Sequence, residues 1–210
     1  MKYYAIHKGR ESGIYNTWDE CKELVNGFKG AKYKKFNNLN DARYYIDNGF
    51  EKDNDISTND DVINVYTDGS CINNGFENAR AGIGVFFKDN DSRNVSTKVN
   101  GKQTNNTAEL KAIKMAYKIL KNDIKNNKNI NIFTDSKYAI KCCTDYGEKN
   151  YNNKWKDEIP NLNLVKEIYE LYKNCSNVKF IHVKAHTKNS DIHSYGNSQA
   201  DYLANCGALS

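Results

Sequence analysis

An acidic, polar segment divides this chain into two basic parts, and this division most constrains how the chain can fold. Residues 51–61, EKDNDISTNDD, hold five acidic side chains and one basic side chain, with almost nothing apolar to bury. A segment of this composition does not build a core. The sequence therefore predicts a small domain over residues 1–50, an acidic flexible linker over 51–61 and a larger domain over 62–210.

The charge and the cysteines restrict the class of protein. Residues 1–50 carry a net charge of +3 and residues 62–210 a net charge of +6, so both parts suit a polyanionic partner. There is no apolar run long enough to span a membrane, and we expect neither a signal peptide nor a membrane partner. Six cysteines without a CxxC pair indicate free thiols, so we expect an intracellular protein.

The larger part shows strand patterns first and then helices alternating with strands. We expect strands over 62–66, 81–87, 94–99, 130–133 and 178–183, and helices over 107–120, 136–143, 161–172 and 198–205. Three hairpin strands followed by such an alternation predict an α/β fold with a mixed five-stranded sheet flanked by helices.

The smaller part has the pattern of a compact α/β unit. Strands are expected over 3–7, 13–15 and 31–36, with helices beginning near residues 17 and 40. Thr17 and Glu20 have the spacing of a capping box, which marks the start of the first helix.

Four carboxylates stand where the predicted sheet would gather them. Asp68 and Asp135 end strands, and we place Glu109 and Asp201 in the first turns of helices. Each could serve a turn, a helix cap or a helix dipole. Together, however, they would repel one another, and a pair of divalent cations would remove that cost. Hard oxygen ligands without nearby cysteine favour Mg²⁺ or Mn²⁺.

The motifs around these carboxylates resemble those of type 1 ribonuclease H, in the order of that family. The segments that carry the resemblance are YTDGSC at 66–71, RAGIG at 80–84, QTNNTAE at 103–109, TDS at 134–136, His186, and GNxxAD at 196–201.

The resemblance implies the ribonuclease H fold and hydrolysis of the RNA strand of RNA–DNA hybrids by two metal ions, leaving 5′-phosphate and 3′-hydroxyl ends. It makes Asp68 a ligand of both Mg²⁺ ions, Asp201 a ligand of the ion on the nucleophile side, and Glu109 and Asp135 ligands of the other. Mn²⁺ is the expected substitute.

His186 matches a loop histidine of the family that assists proton movement or product departure. The alternatives are that the histidines are ordinary surface and core residues, or that His182 and His186 take part in a zinc site. The loop after His186 is longer than the simplest form in the family.

Contacts with the nucleic acid also follow from the resemblance. Asn74, Asn105 and Asn106 match positions that read the minor groove of the hybrid, where the 2′-hydroxyls lie. A phosphate pocket for the DNA strand is expected at Lys102, Thr104 and Asn161. Residues 146–156 partly match a basic protrusion of the family, with a solvated loop as the alternative.

The first part resembles the hybrid-binding domain that precedes many eukaryotic members of the family. By this resemblance, aromatic rings meet deoxyribose and lysines meet phosphates, through Tyr4, Trp18, Tyr33, Lys34 and Lys35. The alternative places Trp18 and Tyr33 in the small core. Double-stranded RNA is a second candidate partner for this domain.

Three other functions are alternatives to that of a monomeric RNA–DNA hybrid endoribonuclease. Two are a ribonuclease H domain of a reverse transcriptase and a DNA-cutting relative of the same fold, and the first 50 residues argue against both. The third is a non-catalytic protein that binds hybrids or double-stranded RNA. The complete set of carboxylates argues against it, because a protein that only binds would gain from losing their repulsion.

Overall fold

The computed structural model describes residues 2–49, 62–184 and 191–210. The chain forms two compact units: of the described residues, the first contains 2–49 with 191 and 192, and the second contains 62–184 and 193–210. The linker expected over 51–61 and the loop residue His186 lie outside the described residues, so the boundaries of the linker stay a prediction.

The N-terminal unit is a three-stranded antiparallel sheet with two helices. Its strands are β1 (Tyr3–Lys8), β2 (Gly13–Tyr15) and β3 (Lys32–Phe36), in the order β2-β1-β3, and its helices are α1 (Trp18–Val25) and α2 (Leu39–Asn48). The predicted capping box is confirmed, because Thr17 caps α1 and Glu20 accepts from the backbone N–H of Thr17 at 3.1 Å.

The second unit holds a mixed five-stranded sheet and five helices. Its elements are β4 (Val62–Ile72), β5 (Arg80–Phe86), β6 (Val95–Lys98), α3 (Asn105–Lys125), β7 (Asn129–Thr134), α4 (Lys137–Cys143), α5 (Asp145–Asn152), α6 (Leu162–Tyr172), β8 (Val178–His182) and α7 (Ile192–Leu209). The strand order is β6-β5-β4-β7-β8, with β4, β7 and β8 parallel and β5 antiparallel to both of its neighbours. The predicted fold class is confirmed.

Successive residues of β5 face opposite sides of the sheet, and a different helix packs on each side. Ile83 packs with α3, in a cluster that contains Ala108 and Ala112. A Cβ atom at Gly82 or Gly84 would overlap backbone atoms of α7. The backbone of α7 therefore rests directly on the sheet, and this close approach fixes where the side chains of α7 meet β4.

Several elements differ from their expected bounds. Strand β4 continues six residues beyond the predicted strand, because Thr67–Ile72 pair in register with β5. Helix α7 begins at Ile192, where aromatic packing holds its first turn: the ring of His193 stacks on Phe133 with centroids 4.2 Å apart. Helix α5 was not expected. None of the described helices is both long and apolar enough to cross a membrane.

Candidate active site

Three carboxylates converge at the edge of the sheet where β4 passes the end of β7. Strands β4 and β7 pair as far as Tyr66 and Phe133, so Asp68 and Asp135 both stand just beyond the paired region. Glu109 reaches the same point from α3, whose backbone packs closely against Gly69. One ligand atom from each carboxylate lies within 4.8 Å of the others, and Asp68 and Glu109 are only 6% and 5% exposed.

Asp201 joins this group from α7. It lines the same cavity of about 470 Å³ as the other three carboxylates, and its negative charge helps to raise the pKa of Asp68. The structure therefore brings together all four carboxylates that the sequence singled out. Their elements come from both faces of the sheet, so only the folded chain assembles them.

Burial and mutual repulsion make this cluster costly when it is fully charged. Burial, followed by repulsion from Asp135 and Asp201, raises the pKa of Asp68 to about 7. Burial also raises the pKa of Glu109 well above its ordinary value, with repulsion from Asp68 adding to it. The Oε2 atom of Glu109 is buried without a hydrogen-bond partner among the described residues. A hard divalent cation would supply the missing partner and the missing positive charge.

The simpler explanations for these carboxylates fail on the observed helix bounds. Ser136, not Asp135, caps α4, because its hydroxyl accepts from the N–H of Ala139 at 3.2 Å. Placing Glu109 and Asp201 in first turns was wrong: α3 begins at Asn105 under the cap of Thr104, and α7 begins nine residues before Asp201. These carboxylates therefore stabilise no helix start.

Two asparagines on α7 hold the carboxylates, and sequence reasoning missed both roles. Asn197 donates to Asp135 Oδ2 at 3.2 Å, and Asn205 donates to Asp201 Oδ1 at 3.0 Å. The hydroxyl of Ser70 donates in turn to Asn205 Oδ1 at 2.5 Å. The available signal was spacing, since Asn197 and Asn205 lie four residues on either side of Asp201, on one helix face.

The asparagines expected to read the minor groove lie at the mouth of the cavity. Asn105 and Asn106 are exposed and line it, at the start of α3. Asn74 is linked to them, because its Oδ1 accepts from the backbone N–H of Asn105 at 3.2 Å. The three residues form one polar, solvent-facing edge beside Glu109.

The residues of the expected phosphate pocket are brought together in part. Thr104 and Thr107 share a hydrogen bond of 2.8 Å, and Thr107 donates to Asn161 at 3.2 Å. Lys102 is exposed, just before this network along the chain. Asn161 has a positive φ of 57° and its side chain makes no cap bond to α6, so its amide is available to the network.

The expected basic protrusion consists of a packed part, α5 with Trp155, and exposed lysines around it. Residues 145–152 form α5, and Trp155 packs against the core of the unit, so the solvated-loop alternative fails for this part. Lys149, Lys154 and Lys156 are exposed around it.

Zinc gains no support from the described residues. Their one group of three or more candidate ligands is the cluster of Asp68, Glu109 and Asp135. His182 contacts the backbone oxygen of Asp135 through Nε2 at 3.2 Å.

Three aromatic rings of the N-terminal unit lie in a row, in which Trp18 and Tyr33 are exposed and Tyr4 is half-buried. The ring of Trp18 lies 5.8 Å from that of Tyr4 and 5.6 Å from that of Tyr33. Trp18 and Tyr33 are 39% and 43% exposed, so the alternative that placed them in the small core is wrong. The core instead holds smaller side chains and two other rings, namely Ala5, Ile6, Cys21, Val25, Phe36, Ala42 and Tyr45.

Comparison with known families accounts for both units. Residues 60–209 match the family described as RNase H. The chain belongs to the ribonuclease H family. Residues 2–46 match the family described as Ribonuclease H1 N-terminal domain. A reverse transcriptase domain or a DNA-cutting relative of the same fold would not explain this match. The chain is therefore a nuclease of the ribonuclease H type, an endoribonuclease of RNA–DNA hybrids, with a nucleic-acid-binding N-terminal unit.

Relatives and solved structures agree with this assignment. A ribonuclease H of Schizosaccharomyces pombe is 33% identical, over 98% of this chain and 97% of its own. Human Ribonuclease H1 is 27% identical, over 98% and 89%. The solution structure of the PFV RNase H domain covers 70% of this chain and 94% of its own, with a TM-score of 0.55 at 24% identity. That structure supports the fold alone.

Proposed function

We propose that this enzyme hydrolyses the RNA strand of RNA–DNA hybrids with two divalent cations, leaving 5′-phosphate and 3′-hydroxyl ends. The single observation that carries the proposal is the convergence of four carboxylates on one open cavity, two of them almost fully buried. None of the four has an ion pair with a basic side chain among the described residues. The cluster is therefore suited to bind cations from solution.

The donor set fits Mg²⁺, with Mn²⁺ as a substitute, because it consists of carboxylate oxygens. We assign Asp68 to both ions, Asp201 to the ion on the nucleophile side, and Glu109 and Asp135 to the other. Bound there, the ions would activate a water and stabilise the charge of the leaving 3′ oxygen. Glu109 Oε2, buried without a partner in the described part of the chain, supports the fit.

Selection of RNA rests on the exposed amides beside the cluster. Asn105 and Asn106 offer both donors and acceptors to the 2′-hydroxyls of a bound strand, and Asn74 supports Asn105. His186 is proposed to assist proton movement or product departure. Across the minor groove, Lys102, Thr104 and Asn161 would hold a phosphate of the DNA strand.

The N-terminal unit is proposed to bind the hybrid without taking part in the chemistry. Its row of Tyr4, Trp18 and Tyr33, of which the last two are exposed, suits sugar rings, and the exposed Lys34 and Lys35 on β3 suit phosphates. Double-stranded RNA is a second ligand for the same surface. We further propose that the protein is intracellular, because six free cysteines suit a reducing compartment, and that it acts as a monomer.

The decisive experiment separates cleavage of RNA, cleavage of DNA and binding alone. A hybrid labelled on either strand and a labelled DNA duplex are incubated with the protein, with and without Mg²⁺. We expect Mg²⁺-dependent cutting of the hybrid RNA alone, and products whose 3′ ends can be extended and whose 5′ ends carry phosphate.

Asp135→Asn should remove cleavage and keep hybrid binding, and the exposed Asp157→Asn serves as the matched control. Binding without cleavage by the wild-type protein would favour the non-catalytic alternative. Cutting of the DNA duplex would favour the DNA-cutting rival.

A further inference from the structure

Asn205 links the strand that carries Asp68 to the helix that carries Asp201. It lies on α7 one turn after Asp201 and donates to Asp201 Oδ1 at 3.0 Å. Its own Oδ1 accepts from the hydroxyl of Ser70 at 2.5 Å. Ser70 lies on β4 two residues after Asp68 and lines the same cavity.

The orientation of this amide follows from its two partners. A carboxylate only accepts hydrogen bonds, so the NH₂ group of Asn205 must face Asp201. The flipped amide would set two oxygens against each other at Asp201. The hydroxyl of Ser70 can donate to Asn205 Oδ1 and thereby holds the amide in the required orientation.

Burial alone does not fix the orientation of Asp201. Asp68 and Glu109 are almost fully buried, whereas Asp201, like Asp135, is only half-buried. The bond to Asn205 engages Oδ1 of Asp201 and does not involve Oδ2. A neutral donor also orients the carboxylate without the positive charge that would compete with a cation.

We propose that Asn205 is a positioning residue that orients Asp201 for metal binding and is itself oriented by Ser70. This inference rests on the proposed metal-dependent function of the same cavity. It predicts that loss of the amide weakens the affinity for the metal rather than the affinity for the hybrid. Loss of a partner that orients a metal ligand lowers metal affinity by about 10- to 100-fold.

The test measures Mn²⁺ binding by isothermal titration calorimetry in the full chain, without nucleic acid. Asn205→Ala removes the amide and should not disturb α7, because alanine has a high helix propensity. Asn122→Ala, at an exposed position of α3, is the matched control. We expect Asn205→Ala to raise the Kd for Mn²⁺ by about 10-fold or more and Asn122→Ala to leave it unchanged. With substrate, the Mg²⁺ concentration needed for half-maximal kcat should rise in parallel, at an unchanged KM for the hybrid.

A double-mutant cycle tests the role of Ser70. Because Ser70 acts on Asp201 through Asn205, Ser70→Ala should add less than two-fold to the Kd once Asn205 is alanine. Full additivity of the two substitutions would overturn the link through Ser70. An Asn205→Ala protein with lowered thermal stability in EDTA and an unchanged Kd would show a purely structural role and overturn the proposal.

Failure of the proposed function gives a different result. A wild-type protein that binds Mn²⁺ but leaves the hybrid uncut would refute that function, while the comparison of Kd values would still decide the role of Asn205. Absence of any Mn²⁺ binding by the wild-type protein would refute both.

Discussion

Replacing Asp68 by asparagine should stabilise the metal-free protein above neutral pH while it abolishes cleavage. The substitution keeps the size of the side chain and removes one charge from a buried cluster. Since burial and two neighbouring carboxylates raise the pKa of Asp68 to about 7, the folded protein pays free energy to ionise this group. An asparagine at this position carries no such cost.

The magnitude follows from the pKa. A rise from the ordinary value of 3.8 to about 7 corresponds to about 4 kcal/mol, because one pKa unit is worth about 1.4 kcal/mol. For a unit of this size, that is about 10 °C in Tm. This is the upper figure, because burying the amide of asparagine also costs free energy.

The direction of the pH dependence is fixed by the same pKa. Between pH 4 and pH 7 the folded state holds a proton that the unfolded state has released, so wild-type stability falls as the pH rises through this window. Above about pH 7 this contribution is lost in full. The advantage of Asp68→Asn should therefore be small at pH 4 and largest at pH 8 in EDTA.

Thermal unfolding in EDTA between pH 4 and pH 8, followed by tryptophan fluorescence, measures this difference. Trp18→Phe in all variants leaves Trp155 as the reporter of the second unit, and Asp157→Asn is the control for a lost surface charge. Mg²⁺ should raise the wild-type Tm at pH 8 more than that of Asp68→Asn. The reasoning is refuted if the two proteins have the same Tm at pH 8 in EDTA.

The remaining predictions concern the loop, the substrate and the N-terminal unit. His186→Ala should lower kcat by about 100-fold in multiple-turnover assays and leave cleavage metal-dependent; a folded but wholly inactive variant would give His186 a more central role. Hybrids with several consecutive ribonucleotides should be cut, and DNA duplexes with one embedded ribonucleotide should not. Replacing Trp18, Lys34 and Lys35 by alanine should weaken hybrid binding and reduce the slope of log binding constant against log salt concentration by about 2. Single-turnover cleavage at saturating enzyme should be unchanged, and equal affinity at equal salt would refute the hybrid-binding role of these residues.

The fold could be predicted from the sequence because its strands and helices carry strong local signals. The capping box at Thr17 fixed the start of α1, and the apolar stripe of α3 marked a helix within two residues of its true start and five of its true end. The helix predicted over 198–205 was too short for α7, because glycine, asparagine and serine in the first turns of α7 have low helix propensity. Packing of His193 and Tyr195 on Phe133 and Phe86 holds those turns, and local sequence does not reveal it.

The candidate site shows the same limit. Its carboxylates were predictable, since each follows a strand or accompanies a motif of the family. The roles of Asn197 and Asn205 were not predictable, because asparagine is abundant in this chain and the role of an amide depends on the groups to which it hydrogen-bonds. Only the approach of α7 to β4 shows that Asn205 meets Ser70.

Gly82 and Gly84 determine the position of Asp201, because the backbone of α7 rests directly on them. A methyl group at Gly82 or Gly84 would have to lift the helix away from the sheet, since the atoms in its way are backbone atoms of α7. The carboxylate would move with the helix, whereas the rest of the sheet would stay paired. Variation in this enzyme should therefore be tolerated on the outer face of α7 and resisted on β5, at positions that touch neither metal nor substrate.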